Sequence, residues 1–87
     1  MIRILIVDDE EAARYGIRRA LENKSMEILE ASSAEQARDV IKNCRPHIML
    51  TDINMPGEDG LSLLHSLKDD PQKPLALMVT AFGSVKV

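Results

Sequence analysis

Four residues with chemistry to offer stand just past apolar runs. Asp8 and Asp9 follow Met-Ile-Arg-Ile-Leu-Ile-Val at 1–7, Asp52 follows Ile48-Met49-Leu50-Thr51, and Thr80 follows Leu75-Ala-Leu-Met-Val79. A carboxylate at the end of a buried run is costly unless it is paired or protonated. Three of them brought together repel, and one must take up a proton unless a cation sits among them. Hard oxygen ligands suit Mg²⁺, which takes one or two carboxylates plus phosphate oxygens and keeps several waters. The carbonyl of Asn54, in the loop after Asp52, can join the set. A cation beside a carboxylate and a hydroxyl points to phosphoryl transfer onto a carboxylate, giving an acyl phosphate. Asp52 is the better nucleophile because it stands alone, while Asp8 and Asp9 form the metal pair. Thr80 can donate its hydroxyl to a phosphoryl oxygen.

Such a site needs strands that end side by side. The run at 1–7 has the near-continuous aliphatic texture of a strand buried on both faces. Acidic residues at 8–11 then open a helix, where they complement the positive end of the macrodipole, with Ala13, Ile17, Ala20 and Leu21 on one face and an end at Asn23-Lys24-Ser25. Met26 to Ala31 is a second strand. Ser33 and Gln36 have the spacing of a capping box, opening a helix that buries Ala34, Ala37, Val40 and Ile41. Pro46 marks its exit, and His47 to Thr51 is the third strand. Leu61, Leu64 and Leu67 give a further helical face with Leu63 beside it. After the loop at 69–74, Leu75 to Val79 is the fourth strand, and Ser84 has the place of an N-cap before the sequence stops at Val87.

Alternating strands and helices with short connections predict one α/β domain over 1–87, with a doubly wound parallel sheet and right-handed crossovers. In such sheets the working site lies outside the carboxyl ends of the strands. A strand order of 2-1-3-4 makes the first and third neighbours, and so gathers Asp8, Asp9 and Asp52.

Composition narrows the class. There are 87 residues with a net charge of −3, one cysteine, no tryptophan, one tyrosine and one phenylalanine. That balance provides no basic footprint for nucleic acid, a single Cys44 forms no internal disulfide, and no stretch reaches the roughly 20 apolar residues of a membrane span. The expectation is a soluble, cytoplasmic chain with an aliphatic core and no direct contact with nucleic acid or membrane.

With "ILIVDDE" at 4–10, "LTDINMPGEDGL" at 50–61 and "VTAFGS" at 79–84, the sequence resembles the receiver domain of bacterial two-component response regulators. The resemblance runs along the whole chain. It implies the flavodoxin-like receiver fold and a signalling domain rather than an enzyme. A histidine kinase is the implied donor, Asp52 the phospho-acceptor, Asp8 and Asp9 the acidic pocket, Asn54 a backbone ligand of Mg²⁺, and Thr80 the switch hydroxyl. "TAFGSV" is similar to receivers of the nitrogen-regulator type, which precede an ATPase and a DNA-binding domain. Receivers of this family continue through a fifth strand and helix, about 30 to 40 further residues at typical element lengths. That part carries a lysine that pairs with the phosphoryl group; Lys68, Lys73 and Lys86 do not stand at its position. The expectation is therefore a receiver cut short after its fourth strand. The aliphatic edge at 75–79 is then open to pairing with another chain, and self-association follows by edge pairing or segment exchange.

Other readings compete. A binding or assembly module could keep this fold without the switch. A Mg²⁺-dependent phosphohydrolase usually needs a second acid two residues after its nucleophile, and position 54 is Asn. "DINMPG" fits part of a calcium loop, but Pro56 and Leu63 fall where ligands are needed. His47 and His65 read as surface residues, Cys44 as a structural thiol, Arg14, Arg18 and Arg19 as a solvated face open to a partner, and Met26, Met49, Met55 and Met78 mostly as core filler.

Overall fold

The fold is known from a computed structural model, which describes residues 1–22 and 25–79. Strands β1 (Ile2–Val7), β2 (Met26–Ala31), β3 (Ile48–Asp52) and β4 (Leu75–Val79) alternate with helices α1 (Glu11–Leu21), α2 (Ala34–Cys44) and α3 (Gly60–Ser66). The strands form one parallel sheet in the order β2-β1-β3-β4. This is the order expected from the sequence. The third strand runs one residue further than its apolar pattern, so Asp52 is its last residue and pairs with Val79.

Alternation along the strands divides the core between two faces. Leu5, Val7 and Met49 are buried with Ala34, Ala37 and Ile41 of α2 and with Leu63 and Leu67 at α3. Val40 and Leu64 pack against that cluster from its rim. Ile4 and Ile6, also buried, point to the opposite face, where the right-handed crossover places α1. There α1 lies shallowly. Ala13, Ile17 and Leu21 are half-buried, and Ala20, expected on the same face, is exposed. Rows of side chains on this face run Ile4–Ile48–Leu75 and Ile6–Leu50–Leu77 across β1, β3 and β4. Leu75 is 66% exposed and Leu77 51% exposed.

Two helix starts follow from their caps. Ser33 Oγ accepts from the N–H of Gln36 at 3.1 Å, as its spacing predicts. The reciprocal arm differs, since Gln36 Oε1 accepts from the N–H and hydroxyl of Ser32. Asp59 caps α3, accepting from Ser62 N–H at 2.8 Å. The buried face of α3 is Gly60, Leu63 and then Leu67, while Leu61 is 58% exposed. The cap at 59 rotates the helix away from the face that Leu61, Leu64 and Leu67 suggested.

Candidate metal and phosphoryl-acceptor site

Because β1 and β3 are adjacent and parallel, their carboxyl ends bring Asp8, Asp9 and Asp52 together. One carboxylate oxygen from each lies within 4.8 Å of the others. Asp8 and Asp52 are buried and Asp9 is exposed. The three residues joined by sequence reasoning are thus joined in space. Thr80 and the Ser84 cap lie outside the described residues.

Local hydrogen bonds fix the two buried acids. Asp8 N–H donates to the Ala31 carbonyl at 3.1 Å, which ties the turn after β1 to β2. Asp8 Oδ1 accepts from Glu10 N–H at 2.9 Å and opens the way into α1. Asp52 Oδ1 accepts from the N–H of Asn54 at 3.3 Å. Asn54 is exposed on the same loop. The Thr51 hydroxyl donates to the Asp52 carbonyl at 3.1 Å.

Burial pushes the Asp8 carboxyl above its ordinary value, and the charges of Asp52 and Asp9 add to that push. The Glu10 N–H and the Arg14 guanidinium pull the other way. Burial beside two other acids disfavours the ionised form of Asp8, and a cation held among the three would offset that. The donors are all hard oxygens, which fits a Mg²⁺ ion held by few protein ligands.

Arg14 is one residue whose role the sequence did not reveal. Its Nη1 donates to the Asp8 carbonyl at 2.7 Å and its Nε to Glu30 Oε1 at 2.9 Å. Arg18 Nε donates to the other oxygen of Glu30 at 2.8 Å. Burial works against the Glu30 charge, yet the hydrogen bonds from Arg18 and Arg14 prevail and hold its carboxyl below the usual range. These two arginines are therefore not the solvated face their helical spacing suggested. Arg19 does stay on the surface, 5.8 Å from the ring of Tyr15. No local signal links position 14 to position 30; only the β1–β2 register makes them neighbours.

The loop after Asp52 is held in a similar way. Arg38 of α2 pairs with Glu58, and its Nε donates to Ser66 Oγ at 3.1 Å. Met55 turns into the core, unlike an exposed loop residue. Gly57 has a φ of 79°, a conformation that glycine adopts at little cost. Gly60 N–H closes the loop onto the Ile53 carbonyl at 3.0 Å. His47, His65 and Cys44 are exposed, so Cys44 does not fill a structural place in the core.

Comparison with known proteins agrees with this geometry. The model of the response regulator receiver domain family matches residues 4–87. The chain is 36% identical over 84 residues to the response regulator MprA of Mycobacterium sp. strain KMS, covering 97% of this chain and 36% of that protein. It is 35% identical over 88 residues to the protein CcdB of Bacillus subtilis, covering 100% of this chain and 73% of CcdB. Among solved structures, the N-terminal domain of a response regulator receiver protein from Methanoculleus marisnigri has a TM-score of 0.85 at 30% identity, over 93% of this chain and 68% of that one. The response regulator TrrA of Thermotoga maritima, solved in complex with Mg²⁺-BeF, has a TM-score of 0.84 at 30% identity, over 93% and 70%. The chain spans about a third of the length of MprA. No helix among the described residues is long and apolar enough to cross a membrane. The sheet order, the acid cluster at its carboxyl end and the match over residues 4–87 agree on one ancestry: the chain belongs to the response regulator receiver domain family of two-component systems.

Proposed function

We propose that residues 1–87 act as a cytoplasmic phospho-acceptor, taking a phosphoryl group from a histidine kinase onto Asp52. A carboxylate oxygen of Asp52 forms the new bond to phosphorus while the bond from phosphorus to the donor's imidazole nitrogen breaks. The electron pair stays on that nitrogen. Asp8, Asp9 and Asp52, with the carbonyl of Asn54, would hold Mg²⁺. That ion supplies charge neutralisation for the oxygens of the transferred group. Asp8 keeps its place through Glu10 N–H and Arg14, and the Arg38–Glu58 pair holds the loop that bears Asn54. Thr80, one residue past β4, has the sequence position from which a hydroxyl would donate to the phosphoryl group.

The observation that carries this reading is the set of three carboxylate oxygens within 4.8 Å at the ends of two adjacent strands. Intact mass after incubation with acetyl phosphate tests it. One added phosphoryl group is expected with Mg²⁺ and none with a chelator, while addition that ignores the metal would overturn the reading.

A second role rests on β4. Its outer edge has no partner strand among the described residues, and Leu75 and Leu77 beside that edge are more than half exposed. An aliphatic edge of this kind favours pairing with a second copy, directly or by segment exchange. Light scattering across a concentration series tests this, and a monomer at every concentration would contradict it.

A further inference from the structure

The amino ends of three neighbouring strands carry positive charge, opposite to the acids at the carboxyl ends of β1 and β3. Arg3 lies near the start of β1, Arg45 and His47 lead into β3, and Lys73 leads into β4. The parallel register draws these residues together. Arg3 N–H donates to His47 Nδ1 at 2.9 Å, and His47 N–H donates to the Arg3 carbonyl at 2.8 Å. Leu75 N–H then donates to the His47 carbonyl at 2.9 Å, bringing the segment that holds Lys73 alongside. With Pro46 and Gln72, these four residues line an open cavity of about 490 Å³, and no carboxylate is in its lining.

The cations there are unpaired with acids. The ion pairs among the described residues are Arg14–Glu30, Arg18–Glu30 and Arg38–Glu58, which leaves Arg3, Arg45 and Lys73 without a carboxylate. Arg3 is nonetheless fixed. Its Nε donates to the Cys44 carbonyl at 2.8 Å and its Nη2 to the Arg45 carbonyl at 2.9 Å. That leaves Nη1 and one hydrogen of Nη2 with no acceptor among the described residues, in the planar fork that suits phosphate oxygens. Since His47 Nδ1 accepts a hydrogen bond, a neutral ring carries its proton on Nε2 as a further donor. Arg45 ends α2 with a φ of 52°, where Gly or Asn is the less strained choice. Three basic side chains in one carboxylate-free cavity contrast with the net charge of −3 on the whole chain.

We propose that this cavity binds an oxyanion of the phosphate class, with Arg3 as the oriented fork and Arg45, His47 and Lys73 closing around it. It is a second site, separated from Asp52 by the length of β3, roughly 16 Å at 3.3 Å per residue. Its occupant would draw together the starts of β1, β3 and β4 and the end of α2, and so would stabilise the fold by linkage.

The test is a titration of the metal-free 87-residue protein with inorganic phosphate at constant ionic strength, balanced with sodium chloride. Arginine Nε–H and histidine ring resonances are followed by NMR, together with the melting temperature. Saturable shifts at Arg3 and His47 are expected, half-complete on the order of 1–10 mM for a site of a few directed contacts, with a rise in melting temperature. The double variant Arg45→Gln, Lys73→Gln leaves the core and the acid cluster untouched, and it should weaken binding about tenfold or more. Charge reversal by Lys73→Glu alone should do the same. Shifts that stay linear in phosphate, that appear equally with chloride, or that keep their half-point in the folded variants would overturn the proposal.

Discussion

The carbonyl oxygen of Asp52 lies so close to Gly60 that a β-carbon at position 60 would overlap it, with the Asp52 carbonyl carbon at 3.2 Å and the Ile53 α-carbon at 3.3 Å. Every atom it would meet is backbone, which cannot swing aside as a side chain can. Gly60→Ala should therefore push α3 away from the end of β3. Overpacking of this kind costs about 1–3 kcal/mol, and each kilocalorie lowers the melting temperature of a domain this size by roughly 4–8 °C. Calorimetry on the variant checks it; a melting temperature equal to that of the parent would show that the loop can move.

The charge of Asp8 is opposed by its burial and by its acidic neighbours. Burial holds the Asp8 carboxyl above its ordinary value, so the native state binds more protons than the unfolded state between the two values. Stability then falls as pH rises through the native value, and ionised Asp8 is a burden at neutral pH. Asp8→Asn keeps an oxygen for Glu10 N–H and removes that charge. The metal-free variant should melt a few degrees above the parent, and the rise that Mg²⁺ gives the parent should shrink. Thermal melts with and without Mg²⁺ decide, and a variant that melts below the metal-free parent contradicts this picture.

Glu30 titrates with the opposite sign. Its carboxyl is held low in the folded state, so its contribution is present above the unfolded value of 4.5 and is lost as pH falls through the lower native one. Its side chain is 31% exposed, so solvent screens the gain. Glu30→Gln should lower stability modestly near pH 7 and leave a shallower decline as pH falls below 4.5. Urea unfolding at several pH values measures both, and parallel curves for parent and variant would count against the Arg14–Glu30–Arg18 bridge.

On β4, lysine at an exposed aliphatic edge opposes strand pairing at little cost to the fold. Leu75→Lys and Leu77→Lys, at sites 66% and 51% exposed, should shift any self-association toward monomer in sedimentation. They should leave the metal response intact. An unchanged assembly in both variants would place the contact elsewhere.

Much of this architecture is legible in the sequence, because strand-length aliphatic runs that end on acids specify both the elements and the places where they deliver charge. Asp8, Asp9 and Asp52 could be grouped once the first and third strands were taken as neighbours. The misreadings share a cause. Leu61 looked like core because leucines recur along that helix, yet the Asp59 cap sets its rotation and buries Leu63 instead. Arg14 and Arg18 looked solvated because their partner, Glu30, sits across the sheet register rather than along the helix. Arg3 reads as an interruption in an apolar strand, and only the closeness of α2's end shows what its guanidinium meets.

The most direct measurement of the central claim is to locate the phosphoryl group. The protein is treated with acetyl phosphate and Mg²⁺, reduced with borohydride and mapped by peptide mass. An acyl phosphate on Asp52 is reduced to homoserine, so conversion at position 52, absent from Asp52→Asn and from the chelated sample, is the predicted result. Homoserine at Asp8 or Asp9, or no conversion in a protein shown to be folded, would contradict the assignment of Asp52 as the acceptor.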